Sequence, residues 1–411
     1  MADVLFLAQR IPYPPNKGEK IRSWRLLERL ARRHRVHLGC LIDDPDDWQY
    51  TDTVRRVTAD AHFGRVDRRS GRVRAMRGLL TGEPLSVTYF ARADLKRWVR
   101  RVLAEVKPRA VVISSSNMAP YVLDEPNRPP LMVADVVDVD SAKFAHYADD
   151  ARPPMRWVYR REAAYVADLE RRLAAEAAWC TLVSEPEAAL FRTVAPKARA
   201  RVLGVPNGVD TAFFDPAVPS VSPYDGAGPV LAFTGHMDYP PNIDAALWLA
   251  SEILPLVRRS LPAARLAIVG ANPVKEIQAL GSRKDVLVTG RVPDVRPYVR
   301  HAAVSVAPLR IARGIQNKVL EAMAMARPTV VTQAALTGIA AVPGRDLLLA
   351  DTPAAIAAAV LEALQPERAR ELSANARRFV LATHGWDQTF AAFDDMLRGL
   401  DGPEAVLGAA E

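Results

Sequence analysis

Short runs of β-branched and leucine residues recur along the chain, separated by longer stretches whose apolar positions return every three or four residues. In the first half, residues 4–8, 35–42, 110–113, 131–134 and 181–184 read as buried strands. Amphipathic helices are expected from about residue 18 to 33 and over 155–178, and Ser184 is expected to cap a helix beginning at Glu185. The second half repeats the theme. Strands are expected at 230–234, 266–269, 286–289, 304–307 and 329–331, each separated by a helical pattern. Strand and helix in alternation predict parallel, doubly wound sheets. Residues 65–77 are polar without a strong period and read as a basic loop, 353–381 as one alanine-rich helix, and 386–397 as a terminal helix.

A chain of 411 residues is long enough for two domains, each burying its own core. Cys40 and Cys180 both fall in apolar runs, which points to buried thiols rather than a disulfide or metal site. No apolar stretch approaches the length of a membrane span, and residues 4–8 are too short for a signal peptide, so a cytoplasmic protein is expected. The net charge of +8 is unevenly placed: residues 1–100 hold 21 Lys+Arg against 12 Asp+Glu, and the rest is near neutral. That bias suits contact with an anionic membrane surface, peripheral at the inner face. No nucleic-acid module accompanies it, so nucleic acid is not an expected partner.

Candidate chemistry is densest between Arg310 and Thr332. Gly314 precedes a helical pattern closed by Pro328, and a glycine there lets backbone N–H groups approach an anion. Lys318 and Glu321 are three apart, hence on one helix face, and offer a cation for phosphate and a carboxylate for sugar hydroxyls. A nucleotide-sugar fits that combination. Earlier, the loop after the first strand carries Lys17 and Gly18 at a helix entrance, with Lys20 and Arg22 adding positive charge. Asp138-Val-Asp140 follows another strand end. It reads formally as a metal-binding Asp-x-Asp, but its place at a strand end fits an acceptor contact or base better, or a structural network; the acidic 43–47 turn reads as a solvated cap.

The run Lys318-Val-Leu-Glu-Ala-Met-Ala-Met-Ala-Arg-Pro-Thr-Val-Val331 resembles the signature helix of retaining glycosyltransferase family 4, as does Asn207-Gly-Val-Asp210, with its Phe and Pro, the domain junction of that family. The resemblance spans most of residues 1–400. It implies an α/β protein of GT-B architecture, two Rossmann-like doubly wound parallel-sheet domains facing across a cleft. The implied boundaries are 1–205 for an acceptor-side domain, 206–228 for a linker, 229–384 for a donor domain, 385–401 for a helix crossing back, and 402–411 for a tail. Glu321 would hold the ribose. The family's upstream glutamate, which contacts the donor sugar, is here Arg313. An arginine after Gly235 and a lysine five residues on usually clamp the diphosphate; His236 and Pro241 stand there instead, leaving Arg291, Arg310, Arg313 and Lys318 as candidate cations. Gly314, Ile315, Gln316 and Asn317 would line the donor, and Val292 would sit in the base-contacting segment. The resemblance assigns catalytic weight to Glu321, Lys318, Arg313 and Asp138, acceptor contact to Asp140, and phosphate or acceptor contact to Lys17 and Gly18. The loop 10–18, the Asp138–Ser141 segment and the 311–324 segment resemble most the sugar transferases of exosortase-linked exopolysaccharide loci.

The implied reaction is hexosyl transfer with retention from a nucleotide-sugar co-substrate to a glycan or lipid-linked acceptor, with neither metal nor cofactor. Two alternatives stand beside it: a nucleotide-sugar epimerase on the same fold, and a non-catalytic nucleotide-sugar-binding scaffold of a polysaccharide assembly complex.

Overall fold

The structure, a computed structural model, describes residues 1–15, 18–226, 228–312, 314–398 and 400. Lys17, Arg313 and the 402–411 tail therefore lie outside the described residues. The chain divides into two compact units, one formed by residues 1–206 together with the chain from Phe390 onward, the other by residues 207–389.

In the first unit the described strands are β1 (Asp3–Ala8), β2 (Arg35–Ile42), β3 (Asp60–Arg65), β4 (Ala110–Ser114), β5 (Leu131–Val137), β6 (Trp179–Leu182) and β7 (Arg201–Gly204). They pair in the order 3-2-1-4-5-6-7, all parallel. In the second unit β8 (Val230–Thr234), β9 (Arg265–Val269), β10 (Val286–Val288), β11 (Val304–Ala307), β12 (Thr329–Val331) and β13 (Leu348–Leu349) pair in the order 10-9-8-11-12-13, again parallel. Each order reverses beside its first strand, between β1 and β4 and between β8 and β11. Open α/β sheets bind ligands at such a switch point, outside the carboxyl ends of the strands.

The strands are runs of Val, Leu, Ile and Ala because both faces are covered by helices, so alternation of polar residues is unnecessary. Leu5, Leu7, Val111 and Ile113 anchor the first core, and Leu231, Phe233, Leu266, Ile268, Val304 and Val306 the second. Cys40 and Cys180 are fully buried in β2 and β6, and burial pushes the Cys180 thiol up to about 12 and that of Cys40 higher still. Ser184 accepts from the Glu187 N–H, capping Glu185–Val194 as its position demanded.

Three sequence expectations are corrected. Residues 65–77 are not a loop: they leave β3 and form most of the helix Arg68–Thr81. Its inward face is built on Gly71 and Gly78, where a Cβ would come within 2.6 Å of the Tyr89 ring and 2.8 Å of the Thr88 hydroxyl. Glycines carry no hydrophobic signal, so the periodicity is invisible. Residues 353–381 are two helices, Pro353–Ala363 and Pro366–Thr383, because Pro366 biases Gln365 away from helical geometry. In the acidic 43–47 turn Asp44 caps as expected, accepting from the Asp46 N–H, but the turn is not merely solvated, since Asp47 is buried against Lys20 and Asp43 accepts from Arg10.

Candidate functional site

In the second unit the carboxyl ends of β8, β9 and β11 carry the candidate site. Gly235 ends β8 at φ +155 and Gly270 ends β9 at φ +152. A Cβ on Gly270 would fall 1.7 Å from the Gly235 carbonyl oxygen, so the two strand ends meet backbone to backbone. A Cβ on Gly235 would meet Asn242 Nδ2 at 2.7 Å and Lys318 Nζ at 3.0 Å. The absent side chain thus leaves the place the lysine occupies.

Lys318 and Glu321 lie on the helix Asn317–Ala324. Gln316 is its N-cap, so Gly314, at φ +62, stands three residues ahead of the first helical residue rather than immediately before it. Val319, Leu320 and Met323 bury one face of this helix, and at its far end the Arg377 guanidinium donates to the Ala324 carbonyl, a cation at the negative end of the dipole. Lys318 Nζ donates to Asn242 Oδ1 and stands 4.6 Å from the Phe233 ring centre. Asn242 Nδ2 in turn donates 2.9 Å to the His236 carbonyl, tying the loop after β8 to the lysine. Glu321 accepts no hydrogen bond among the described residues, and the Oδ1 of Asn317 is buried without a partner. Burial lifts the Glu321 carboxyl to about 7 and lowers the Lys318 ammonium to about 7, each shift opposed by the charge of the other. The arrangement is a half-buried cation and a carboxylate with open hydrogen-bonding capacity at a helix N-terminus, which suits an anion carrying hydroxyl groups.

The other donor-side residues are dispersed. Arg310 is held by Asp244 in a two-point ion pair and lies over the Trp248 ring, so its charge is already matched. Arg291 is exposed and has no side-chain partner among the described residues; Val292 packs toward Val230, Ala267 and Val269. Ile315 is buried in the core of the unit, leaving its backbone for any ligand. His236 is exposed. Asn242 and Gly270 escaped the sequence reading. Asn242 had one usable signal, a poor helix former inside the first turn of Pro240–Trp248.

In the first unit the described cations of and around the loop after β1 are paired. Arg22 is fully buried, paired through two nitrogens with Asp135, and also donates 2.9 Å to the Val205 carbonyl; Thr181 completes the network at 2.7 Å from Asp135 Oδ1. Lys20 donates to Asp47, and Arg10 to Glu19 and Asp43. Lys20 and Arg22 are therefore structural, and Gly18 is the exposed first residue of the helix Gly18–Ala31.

A second cluster stands at the end of β5. Val137 has φ +75, and the Asp138 N–H donates to the Val136 carbonyl, a tight γ-turn centred on a β-branched residue. Such strain concentrates at sites where a side chain must be aimed. Asp138 follows this turn, and its carboxyl is pushed up to about 6 by burial and then by Glu187 and Asp140, against Lys143 and Arg22. Asp140 is held by Lys143 three residues on. Behind them Glu187 accepts from the Val139 N–H, and Glu170 from both the N–H and the hydroxyl of Ser141. No three His, Cys, Asp or Glu side chains among the described residues are grouped so as to hold a metal ion. Next door, at the end of β4, Ser115 has φ +81 and the hydroxyl of Ser116 is fully buried without a partner.

Comparison with solved structures identifies the architecture. Sucrose-phosphate synthase from Thermosynechococcus elongatus superposes with a TM-score of 0.67 at 17% identity, covering 97% of this chain and 99% of its own. Anabaena HepE in complex with UDP-glucose gives 0.65 at 14% identity, covering 97% and 100%. A UDP-forming alpha,alpha-trehalose-phosphate synthase from Burkholderia vietnamiensis gives 0.62 at 11%, covering 97% and 100%. The fold is that of the GT-B glycosyltransferases, two parallel-stranded α/β sheets, with structural neighbours that cover 97% of the chain. Residues 228–366, within the second unit, match the family model described as Glycosyl transferases group 1. No match is found among the curated proteins.

Proposed function

We propose that this protein is a retaining glycosyltransferase of family 4 that moves a hexosyl group from a nucleotide-sugar to a glycan or lipid-linked acceptor, without metal, in exopolysaccharide or cell-surface glycan synthesis. The observation that carries the reading is the Lys318–Glu321 pair at the start of Asn317–Ala324, beside the glycine-lined strand ends. It lies inside the segment matching the group 1 family, and the structurally similar HepE was solved with UDP-glucose and with UDP.

In this reading the second unit binds the donor. Glu321 accepts from the ribose hydroxyls, which the open lone pairs of its carboxylate permit. The diphosphate lies against the backbone from Gly314 to Asn317, with Lys318 and the positive helix end stabilising the charge that grows as the sugar–phosphate bond breaks. Lys318 takes over the work of the cation pair replaced by His236 and Pro241, and Asn242 holds it in position. The proton of the acceptor hydroxyl passes to the leaving phosphate, and Asp138 at the end of β5 is the first unit's candidate for acceptor contact. Family 4, retention and the exopolysaccharide setting rest on the resemblance of the 311–331 segment.

Calorimetry with UDP, GDP and their sugar conjugates, on wild type and Glu321→Ala, tests the donor site. Saturable binding is expected, weakened about tenfold or more by loss of a charge-assisted contact. Equal binding by both proteins would remove the donor from this helix. The replaced cation pair also favours a scaffold that binds donor without turnover, and release of free nucleotide on adding an acceptor separates that from a transferase.

A further inference from the structure

The helix Arg68–Thr81 turns exposed apolar side chains outward. Its inner face is fixed: Gly71 and Gly78 close onto Tyr89 and Thr88, Arg74 donates to the Tyr89 carbonyl, and Arg161 reaches the Gly78 and Glu83 carbonyls from the helix Met155–Glu176. Glu162, beside Arg161, accepts from the Leu85 and Ser86 N–H groups and the Ser86 hydroxyl, locking the start of the following helix Leu85–Phe90. Outward from this rigid support stand Val73, Met76 and Leu79, spaced three apart and 59%, 67% and 40% exposed. Four residues before Arg161, on the same side of its helix, Trp157 is 62% exposed.

Large apolar side chains held in water on a rigid face need an occupant to cover them. Charge chooses it. Between Asp67 and Glu83 the sequence has no acidic residue and, besides the inward-bound Arg74, four arginines, at 68, 69, 72 and 77. Exposed apolar side chains in a segment of one-signed positive charge, with an exposed tryptophan beside it, suit an anionic lipid surface, where apolar groups reach the acyl boundary and the charge of the segment is attracted to the headgroups. We propose that the outer face of Arg68–Thr81 docks this protein on an anionic lipid surface. Among the described residues no helix is long and apolar enough to cross a membrane. The inference deepens the proposed function by giving it a lipid-linked acceptor, yet it depends on none of the donor residues.

The test is flotation of the full chain with phosphatidylcholine vesicles containing phosphatidylglycerol, against pure phosphatidylcholine. Wild type is expected to float with the anionic vesicles at low salt and to be released at high salt. Val73→Asp/Met76→Asp, on exposed positions that leave the fold intact by circular dichroism, should float at least about tenfold less. Glu321→Ala should float like wild type, so loss of the donor site and loss of docking are read separately. Met76→Cys carrying an environment-sensitive fluorophore should shift to the blue on anionic vesicles, labelling being selective because Cys40 and Cys180 are fully buried. Failure of wild type to float with anionic vesicles, equal flotation by the double variant, or no spectral shift at position 76 would each overturn the proposal. So would a dimer in sedimentation velocity that the double variant abolishes while vesicles are ignored, since a second copy would then cover this face.

Discussion

Lys318 and Glu321 pull proton binding in opposite directions, and this makes their roles separable. Lys318, lowered to about 7 by burial, regains its proton when a diphosphate settles beside it, so nucleotide binding takes up protons above that pH. Glu321, raised to about 7, must ionise to accept from ribose hydroxyls, so binding releases protons below it. In the wild type near pH 7 the two effects oppose each other. Lys318→Met leaves the release, and Glu321→Gln leaves the uptake. Calorimetry of UDP binding in buffers of different ionisation enthalpy measures the proton number directly. Opposite signs in the two variants are expected; unchanged proton numbers in both would place the nucleotide elsewhere.

At the scale of elements, the start of the helix Asp140–Asp150 hangs on Glu170, which is fully buried and accepts from the Ser141 N–H and hydroxyl. Burial raises its carboxyl from 4.5 to about 7 despite those hydrogen bonds. A carboxyl raised in the folded state contributes stability that is complete below pH 4.5 and lost as pH climbs through 7, here at most about 3 kcal/mol. Glu170→Gln should flatten the fall of folding free energy between pH 5 and pH 8 in urea melts; an equally steep fall in the variant would assign it to other groups. The strand ends behind such elements were partly legible in the sequence. β1, β2, β4, β8, β9, β11 and β12 are apolar runs because they are covered on both faces, and those runs were visible. β3 and β7 lie at sheet edges and β13 has two residues, so each is short or mixed in character and was missed. The Lys318–Glu321 spacing was legible because helix geometry is periodic. The Asn242 clamp, the Gly235–Gly270 approach and the strained Val137 were not, since each depends on a contact across elements or on a backbone angle that no local pattern encodes.

For the whole molecule, the two units repeat one strand order but differ in how the chain leaves them. The helix Trp386–Met396 begins among residues of the second unit and from Phe390 belongs to the first. Its later part is tied there by Asp394 to Arg29 and by the Phe393 ring 5.9 Å from the Arg22 guanidinium, and beyond the helix the Leu400 carbonyl accepts from Arg109. Phe390, Phe393, Met396, Leu397 and Leu400 are each at most 5% exposed. Five buried side chains of this size, at about 2 kcal/mol each, contribute on the order of 10 kcal/mol as an upper estimate, comparable with the whole stability of a domain. The first unit is therefore expected to depend on a segment that begins 184 residues after Pro206, while the second should tolerate its loss. Ending the chain at Thr389 should accelerate hydrogen exchange in β1, β2, β4 and β5 and leave β8, β9 and β11 protected. Protection kept in the first sheet, or lost equally from both, would mean that the last helix is an appendage rather than the closing element of the first core.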